Sequence, residues 1–308
     1  MSFKKIVIRI VRVVALLLIK LRLLKKMIVV RVDGGICSQM HFYLVGQQLV
    51  QRGYTVKYDL KWFKTNGTDL TGKFCRNFDL KKAFPTLRVD ETSYLERLFY
   101  LSLPFENNKN CLDTFLVNEN KLEVLPPAYM GGYYGNDYEM MSVLFPQIFS
   151  VDVNVLNQEN RTIYERIRNE KLSVAIHVRR GDLADFNIAY GQPVGLDYFI
   201  KVLEEIYKDY GQSSCFLFSD EPKWIKDNMI NKLPHYNNYE IININGSDRG
   251  YFDMFLISAC NIQITSKGSL GKYGGLLNSN KTGRIYVYDD EIERHNWQGV
   301  NDKIIFVK

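Results

Sequence analysis

Two adjacent arginines that follow an apolar run are the residues of this chain best suited to binding a ligand. Residues 173–178 have the composition of a buried strand, and Arg179, Arg180, Gly181 and Asp182 follow directly. The guanidinium group of arginine offers a planar fork of donors that fits phosphate oxygens. Because parallel sheets bind ligands beyond the carboxyl ends of their strands, this segment is a candidate phosphate site.

One of the two arginines is expected to face the ligand, since neighbouring residues of an extended chain point to opposite sides. We assign that role to Arg179 and expect Arg180 to support the loop, with Asp182 as its ion-pair partner. A second interpretation stays open, in which both arginines form surface ion pairs. Position alone favours neither interpretation.

A βαβ unit with a glycine turn stands near the start of the chain. Residues 27–32 predict a buried strand, residues 38–52 a helix and residues 55–60 the next strand. Gly34 and Gly35 form the turn at the carboxyl end of the first strand. This is the edge of a parallel sheet at which ligands bind.

Strands and helices alternate again after residue 161, whereas residues from about 61 to 150 predict mostly short helices and loops. This rhythm is typical of a parallel sheet covered on both faces. We therefore predict an α/β fold of two Rossmann-like domains facing a central cleft, with bounds 27–160 and 161–308. The predicted strands of the second domain are 173–178, 214–219, 240–244, 261–265 and 284–288, and the predicted helices are 196–210, 222–229, 252–259 and 269–277.

Charge is distributed unevenly along the 308 residues. The formal net charge is +6, but residues 1–26 contain eight Lys and Arg residues and no acid. The rest of the chain is therefore slightly acidic, which argues against a nucleic-acid partner.

Residues 1–26 predict a basic amphipathic helix that lies on an anionic membrane surface. The longest uncharged run, residues 13–19, is too short to span a membrane, and no small-residue cleavage site follows it. Two alternatives stay open, namely a poorly ordered extension or a stretch upstream of a true start at Met27.

The cysteines indicate a reducing compartment and no structural metal. They are odd in number and widely spaced, without a Cys-x-x-Cys pair or zinc-type spacing; they are Cys37, Cys75, Cys111, Cys215 and Cys260. Reduced thiols in a cytoplasmic protein are the expected state.

Four blocks of the sequence together resemble a known family. Residues 177–182 match the His-x-Arg-Arg-x-Asp hallmark of the α1,2-fucosyltransferases of glycosyltransferase family 11 and their fucosyltransferase relatives. Residues 34–40 resemble the family's Gly-Gly-x-Gly-Asn-Gln-Met block, residues 216–224 its Phe-Ser-Asp-Asp-x-x-Trp block, and residues 253–260 its Asp-x-x-Leu-Met-Ser-x-Cys block. The blocks stand in the family's order, from about residue 27 to about residue 278.

The resemblance implies a GT-B-like fold, GDP-L-fucose as donor, inversion at the fucose anomeric carbon and a β-galactoside acceptor. It implies that Arg179 binds the diphosphate and neutralises the charge that develops on the leaving GDP. The other residues that it places on the donor side are His177, Arg180, Asp182, Ser219 and Asp220, and those of the amino-terminal loop are Gly34, Gly35 and Gln39.

Asp253 and Ser269 complete the implied donor site. A carboxylate can accept both the N1–H and N2–H donors of guanine, and relatives use an aspartate at the position of Asp253; the alternative role is a helix N-cap. Ser269 matches a phosphate-binding serine near a helix start, where backbone N–H groups favour anions, and Lys272 lies nearby. Residues 267–272 are not a P-loop, because Tyr273 replaces the required Ser or Thr.

The chain departs from the family pattern in two places. Residues 267–278 lack the family's tryptophans, and residues 36–38 replace its Gly-Asn. Both departures bear on the acceptor more than on the donor. No Asp-x-Asp motif occurs, so we predict metal-independent catalysis without a cofactor. Asp33 is a candidate base, with capping of the glycine turn as its alternative role.

The sequence therefore predicts an inverting transferase that moves L-fucose to a galactose 2-hydroxyl of a bacterial surface polysaccharide. A lipid-linked acceptor at the inner membrane face would suit the basic residues 1–26. Two alternatives are the same fold transferring another sugar, and a non-catalytic module that binds a nucleotide sugar or a glycan.

Overall fold

The computed structural model describes most of the chain. The described residues are 27–65, 67–68, 72, 75–102, 127–131, 139–184 and 192–308, together with positions 6, 10, 13, 14, 17, 18, 20 and 21. They fall into two compact units, of which the first comprises Met1–Gly67 and Thr86–Phe145 and the second comprises Thr68–Pro85 and Pro146–Lys308.

The regular elements alternate between strands and helices in both units. In chain order they are β1 (Met27–Arg31), α1 (Ile36–Gln51), β2 (Thr55–Asp59), α2 (Lys61–Thr65), α3 (Leu80–Ala83), α4 (Tyr94–Ser102), β3 (Ala128–Met130), α5 (Phe145–Ile148), α6 (Gln158–Asn169), β4 (Ser173–Val178), α7 (Leu196–Tyr210), β5 (Ser214–Ser219), α8 (Pro222–Trp224), β6 (Asn238–Ile241), α9 (Gly250–Ala259), β7 (Ile262–Thr265), α10 (Leu270–Leu277), β8 (Arg284–Tyr288), α11 (Glu291–Trp297) and β9 (Ile304–Val307). Short 3-10 segments are Val153–Val155, Gly181–Ala184, Ile230–Lys232 and Ser247–Arg249, and π-helical segments are Glu139–Leu144 and Ile225–Met229.

The first unit is built on the βαβ pattern that the glycine turn predicts. Its described strands pair in parallel in the order β2–β1–β3. Ile28, Val29 and Val30 of the central strand are buried, as expected for a parallel strand covered on both faces. Gly46 of α1 lies directly against the Tyr58 ring, so the helix can approach the sheet closely there. The short strand β3 was not predicted from the sequence, and residues 103–126 of the predicted loop region lie outside the described residues.

The second unit contains a parallel sheet of strand order β6–β5–β4–β7–β8–β9 among the described residues. In sequence order this is 3-2-1-4-5-6, the arrangement of a doubly wound Rossmann sheet. The chain reverses its direction of travel across the sheet between β4 and β7. At such a switch point the loops diverge and leave a crevice at the carboxyl ends of the two strands.

Helices cover the sheet of the second unit on both faces. Val174, Ile176 and Val178 of β4 belong to one apolar cluster, which includes residues of α7. Ala175 belongs to a second cluster, with residues of α6 and α9. Alternate side chains of one strand thus enter two cores, because a strand points successive side chains to opposite faces. The α/β prediction, with a parallel sheet in each unit, is confirmed.

The division of the chain differs from the sequence-based boundary at residue 160. Helix α6 packs against α9 and so belongs to the second unit. Phe84 contacts Phe149 and Phe255, with ring centroids 4.8 Å and 5.6 Å apart. These aromatic contacts tie residues 68–85 and the stretch before α6 to the same unit, although they precede its sheet in sequence.

The amino-terminal segment exposes one apolar stripe at its described positions. Large apolar side chains at Ile6, Ile10, Val13, Val14, Leu17 and Leu21 are all exposed. Their spacing places them on one side of a helix. Three cations of the predicted basic face, Lys5, Arg9 and Arg12, lie outside the described residues. No helix in the described part of the chain is long and apolar enough to cross a membrane.

Helices α9 and α10 cross closely at a glycine. A Cβ atom at Gly274 would lie 2.5 Å from Ile257 Cγ2 and 3.1 Å from the carbonyl oxygen of Met254. Because the second contact is with backbone, the crossing leaves no room for a larger residue without a shift of one helix.

We expect Gly274→Ala to destabilise the chain by about 1–3 kcal/mol, since overpacking forces rotamer and backbone shifts. The measurement is the free energy of unfolding in a denaturant titration. Gly250→Ala is the matched control, because Gly250 begins α9 with a helical φ of −58° and a Cβ added there would meet no atom within 4 Å. The control should be neutral or stabilising by up to about 1 kcal/mol, and equal loss in both variants would contradict the close crossing.

Candidate functional site

The loops that follow β4 and β7 are hydrogen-bonded to each other at the switch point. The backbone N–H of Arg179 donates to Ser266 Oγ at 2.7 Å. The N–H of Ser266 donates to the carbonyl oxygen of His177 at 3.0 Å. The two strand ends therefore form one rigid edge, and Arg179 is the first residue beyond it.

The Arg179 side chain lies between two carboxylates. Its Nη1 atom is 2.5 Å from Asp220 Oδ2, and its Nη2 atom is 2.7 Å from Asp182 Oδ1. The expected pairing of Asp182 with Arg180 is therefore wrong. The 3-10 segment Gly181–Ala184 turns the chain back at once, which brings Asp182 to the guanidinium three residues earlier.

Arg180 has partners of its own on the other side of the loop. Its Nε atom is 3.1 Å from Glu221 Oε2, and its guanidinium carbon is 3.7 Å from the centroid of the Trp224 ring. Arg180 and Trp224 line, with the start of α7, a pocket of about 420 Å³. The side chains of the two adjacent arginines thus have different partners, as expected for neighbours on an extended chain.

Ser219 and Asp220 make contacts within the protein that fix the shape of the turn at residues 179–182, called the arginine turn below. Asp220 Oδ1 accepts the N–H of Arg180 at 3.0 Å, while Ser219 Oγ donates to the carbonyl of Val178 at 2.7 Å and accepts the N–H of Glu221 at 3.0 Å. A Cβ at position 181 would collide with Asp220 Oδ2, so a larger residue there would displace the carboxylate that holds Arg179.

His177 lies beneath the start of α10 rather than at the surface. A Cβ on Gly271 would be 2.9 Å from its Cβ, so helix and strand are in close contact. Burial, together with the charges of Lys272 and Arg179, lowers the pKa of His177 to about 3. The imidazole is therefore neutral at physiological pH, and its Nδ1 atom has no hydrogen-bond partner among the described residues.

The β7–α10 loop, residues 266–269, is held from below by a buried lysine. Lys272 is fully buried, and its Nζ atom contacts the carbonyl oxygens of Ser266 and Gly268 and the carboxylate of Glu293. Gly268 has a φ of +87°, a conformation that favours glycine. Ser269 occupies the N-cap of α10, and its side chain makes no capping hydrogen bond there.

Asp253 is positioned by an asparagine pair in the same unit. Asn245 Nδ2 donates to Asp253 Oδ1 at 2.8 Å, and Asn245 and Asn160 exchange hydrogen bonds of 2.8 Å and 3.0 Å. The alternative N-cap role is wrong, because α9 begins at Gly250 and its N-cap is Arg249. Burial raises the pKa of Asp253 to about 7, although the hydrogen bond from Asn245 opposes this.

The residues predicted from the amino-terminal block lie in the first unit. Gly34 has a φ of +75°, Gly35 is the N-cap of α1, and Gln39 Nε2 donates to the carbonyl of Gly34 at 3.1 Å. Asp33 is buried beside this turn, 3.3 Å from Arg31 Nη2. Burial raises the pKa of Asp33, and the charge of Arg31 partly offsets the effect.

Several residues of the site were missed in the sequence. Ser266 follows β7 as Arg179 follows β4, so its position at the adjoining strand end was a usable signal. The Asn160–Asn245 pair and the Lys272–Glu293 pair left no such signal, because each joins residues far apart in the chain.

Comparison with known proteins finds glycosyltransferases among both sequence relatives and solved structures. The Escherichia coli O-antigen biosynthesis glycosyltransferase WbnK is 27% identical over 136 residues, which are 43% of this chain and 44% of that protein. This chain thus aligns with less than half of that relative's length. Among solved structures, a mutant of Arabidopsis thaliana FUT1 in complex with GDP has a TM-score of 0.42 and 12% identity, over 87% of this chain and 72% of that one. A family 9 glycosyl transferase from Veillonella parvula has a TM-score of 0.44 and 9% identity, over 92% and 85%.

The family itself is established by a match over the region that contains the arginine turn and the β7–α10 loop. The model of glycosyl transferase family 11 matches residues 138–301, which is more than half of the chain. The chain belongs to glycosyltransferase family 11.

Proposed function

We propose that this family 11 glycosyltransferase transfers L-fucose from GDP-L-fucose to the 2-hydroxyl of a β-galactoside, with inversion at the anomeric carbon. The observation that carries the proposal is Arg179, oriented by Asp182 and Asp220 at the switch point of the second unit. Membership of the family establishes glycosyl transfer, and the fucose donor and the galactoside acceptor are proposals that rest on the motif.

Arg179 suits the stabilisation of a departing diphosphate. A guanidinium has five N–H donors, and the two carboxylates leave others free to meet phosphate oxygens. Because Asp182 and Asp220 fix the orientation of the side chain in advance, little reorganisation is needed as charge grows on the leaving GDP. Ser269 would contribute at the start of α10, where backbone N–H groups favour anions.

Asp253 suits the recognition of guanine. Asn245 occupies its Oδ1 atom from one side and fixes the plane of the carboxyl group. An ionised carboxylate held in this way can accept neighbouring N1–H and N2–H donors, which uracil and adenine do not present as a pair. The raised pKa makes ionisation at neutral pH sensitive to such a partner.

Asp33 is the proposed general base. In the proposed step the Asp33 carboxylate takes the proton of the acceptor hydroxyl. The hydroxyl oxygen attacks the anomeric carbon of fucose as the bond between fucose and GDP breaks. A carboxyl whose pKa is raised by burial is a stronger base than an exposed one, which supports this role. The catalytic chemistry is proposed to need no metal ion.

We further propose a cytoplasmic enzyme that acts at the inner membrane face on a lipid-linked precursor of a surface polysaccharide. The name of the E. coli relative supports the polysaccharide setting. The exposed apolar stripe at positions 6, 10, 13, 14, 17 and 21, in a segment rich in Lys and Arg, supports attachment to anionic lipid.

The prediction that tests the proposed activity directly concerns turnover. With GDP-fucose, a panel of β-galactosides and a chelator, the purified chain should release GDP faster than hydrolysis alone and yield an α-linked product. GDP release is measured by a coupled assay and the linkage by NMR. GDP-mannose in place of GDP-fucose tests the same fold with another sugar. Binding of GDP-fucose without turnover on any acceptor would favour the non-catalytic alternative instead.

Arg179→Ala should lower kcat/KM at least about a hundredfold, because removing a donor that stabilises a developing oxyanion costs this much. Arg166→Ala is the matched control, since Arg166 also has an ion pair, with Glu240 at 2.6 Å. The control should keep nearly full activity. Similar activity in both variants would refute the assignment of the phosphate site.

A further prediction concerns pH. Below pH 7 the protonated form of Asp253 prevails and one acceptor is lost, so the affinity for GDP should rise about tenfold from pH 6 to pH 8. Calorimetric titrations at several pH values measure it. Asp253→Asn should bind more weakly and lose this part of the pH dependence, whereas Asp248→Asn, at an exposed neighbouring acid, should keep it. An unchanged pH profile in Asp253→Asn would exclude contact with the base.

The last prediction of the proposed function concerns the membrane. The full chain should float with vesicles that contain anionic lipid and should stay in the dense fraction with neutral vesicles, because cations and apolar side chains act together. A variant without residues 1–26 should not float with either. Equal flotation with and without these residues would contradict the proposed attachment.

A further inference from the structure

We propose that Lys272 is a positioning residue that sets the β7–α10 loop in its phosphate-binding conformation; this inference rests on the proposed function. Lys272 does not face the ligand itself. It acts through the backbone of residues 266–269, which it holds from inside the protein.

The ammonium group of Lys272 is fully buried and contacts three oxygen atoms. Nζ is 2.8 Å from the carbonyl oxygen of Ser266, 2.6 Å from that of Gly268 and 2.7 Å from Glu293 Oε2. The two carbonyl oxygens accept hydrogen bonds from the ammonium, and the Glu293 carboxylate balances its charge as an ion-pair partner. Because a buried charge without partners is very unfavourable, the loop and the carboxylate are held in place by the need to satisfy it.

The direction of the two carbonyls determines where the neighbouring amides point. In a trans peptide the N–H is antiparallel to the C=O. Since the carbonyls of Ser266 and Gly268 face Lys272, the N–H groups of Lys267 and Ser269 point away from it. Neither amide donates to another described residue. The positive φ of Gly268 permits this alternation.

The loop lies directly against the proposed phosphate-binding arginine. A Cβ on Gly268 would be 3.6 Å from Arg179 Cγ. The outward N–H groups are therefore donors close to the Arg179 side chain, and backbone donors of this kind suit an anion. A loss of Lys272 would release both carbonyls and with them this arrangement.

Helix α11 supports the same loop at its other end. Asp290, the N-cap of α11, accepts the N–H of Glu293 at 2.8 Å and pairs with Lys267 Nζ at 3.0 Å. The first turn of α11 therefore supplies carboxylates to Lys267 and Lys272, which lie on either side of Gly268 in sequence. This arrangement makes Glu293 the counter-ion that permits Lys272 to be buried.

The test compares the binding of GDP with that of guanosine, which lacks phosphates. Lys272→Met should raise the Kd for GDP at least about tenfold, as expected when hydrogen bonds to a charged ligand are lost. The Kd for guanosine should change less than about twofold, since base recognition lies elsewhere. A general loss of structure would weaken both ligands together.

The double variant Lys272→Met/Glu293→Gln removes both buried charges. The same two binding measurements are made on it if the single variant does not fold. It should show the same selective loss of GDP affinity. Lys303→Met is the matched control, because Lys303 Nζ binds the carbonyl of Asn278, at the opposite end of α10. It should bind both ligands as the wild type does.

Two results would overturn the inference. The first is unchanged GDP affinity in the folded single or double variant, and the second is an equal loss for GDP and guanosine. The wild-type titration separates this from the parent proposal, because a wild type that binds no GDP would refute the proposed donor as well.

Discussion

Cations at the carboxyl ends of β4 and β7 have to be paired before any ligand arrives, because they are wholly or largely removed from water. Arg179 has Asp182 and Asp220, Arg180 has Glu221, and Lys272 has Glu293. These acids come from the arginine turn, from the end of β5 and from α11. The pairing therefore joins the arginine turn to the loop after β5, and α10 to α11. These ion pairs constrain the backbone conformation of the loops.

Such pairing gives an anion-binding site that is already organised before the anion binds. The guanidinium of Arg179 is already directed, and the carbonyls under the β7–α10 loop are already turned inward. A leaving diphosphate would then meet fixed dipoles rather than mobile water, which is the physical basis of catalysis by preorganised charge. The same pairing reduces the net positive charge of the site. The affinity for a diphosphate therefore has to come from the orientation of the N–H donors and not from an excess of cations.

The sequence predicted what depends on local pattern. Strands 173–178, 214–219 and 284–288 and helix 196–210 have the predicted bounds, because apolar periodicity and turn residues specify them. It did not predict the partner of Asp182, which depends on a 3-10 turn, or the Lys272–Glu293 and Asn160–Asn245 pairs, which depend on tertiary packing. The placement of residues 68–85 in the second unit likewise involves tertiary contacts, such as those of Phe84 with Phe149 and Phe255, that leave no local pattern.

The collision that a side chain at position 181 would have with Asp220 bears on how the motif can evolve. In the pattern His-x-Arg-Arg-x-Asp the fifth position is nominally free. In this chain it is constrained by a carboxylate on a neighbouring strand end, which also accepts the N–H of Arg180. Positions 181 and 220 should therefore covary among close relatives. A larger residue at 181 would require the Asp220 carboxylate to move or a smaller residue to replace Asp220.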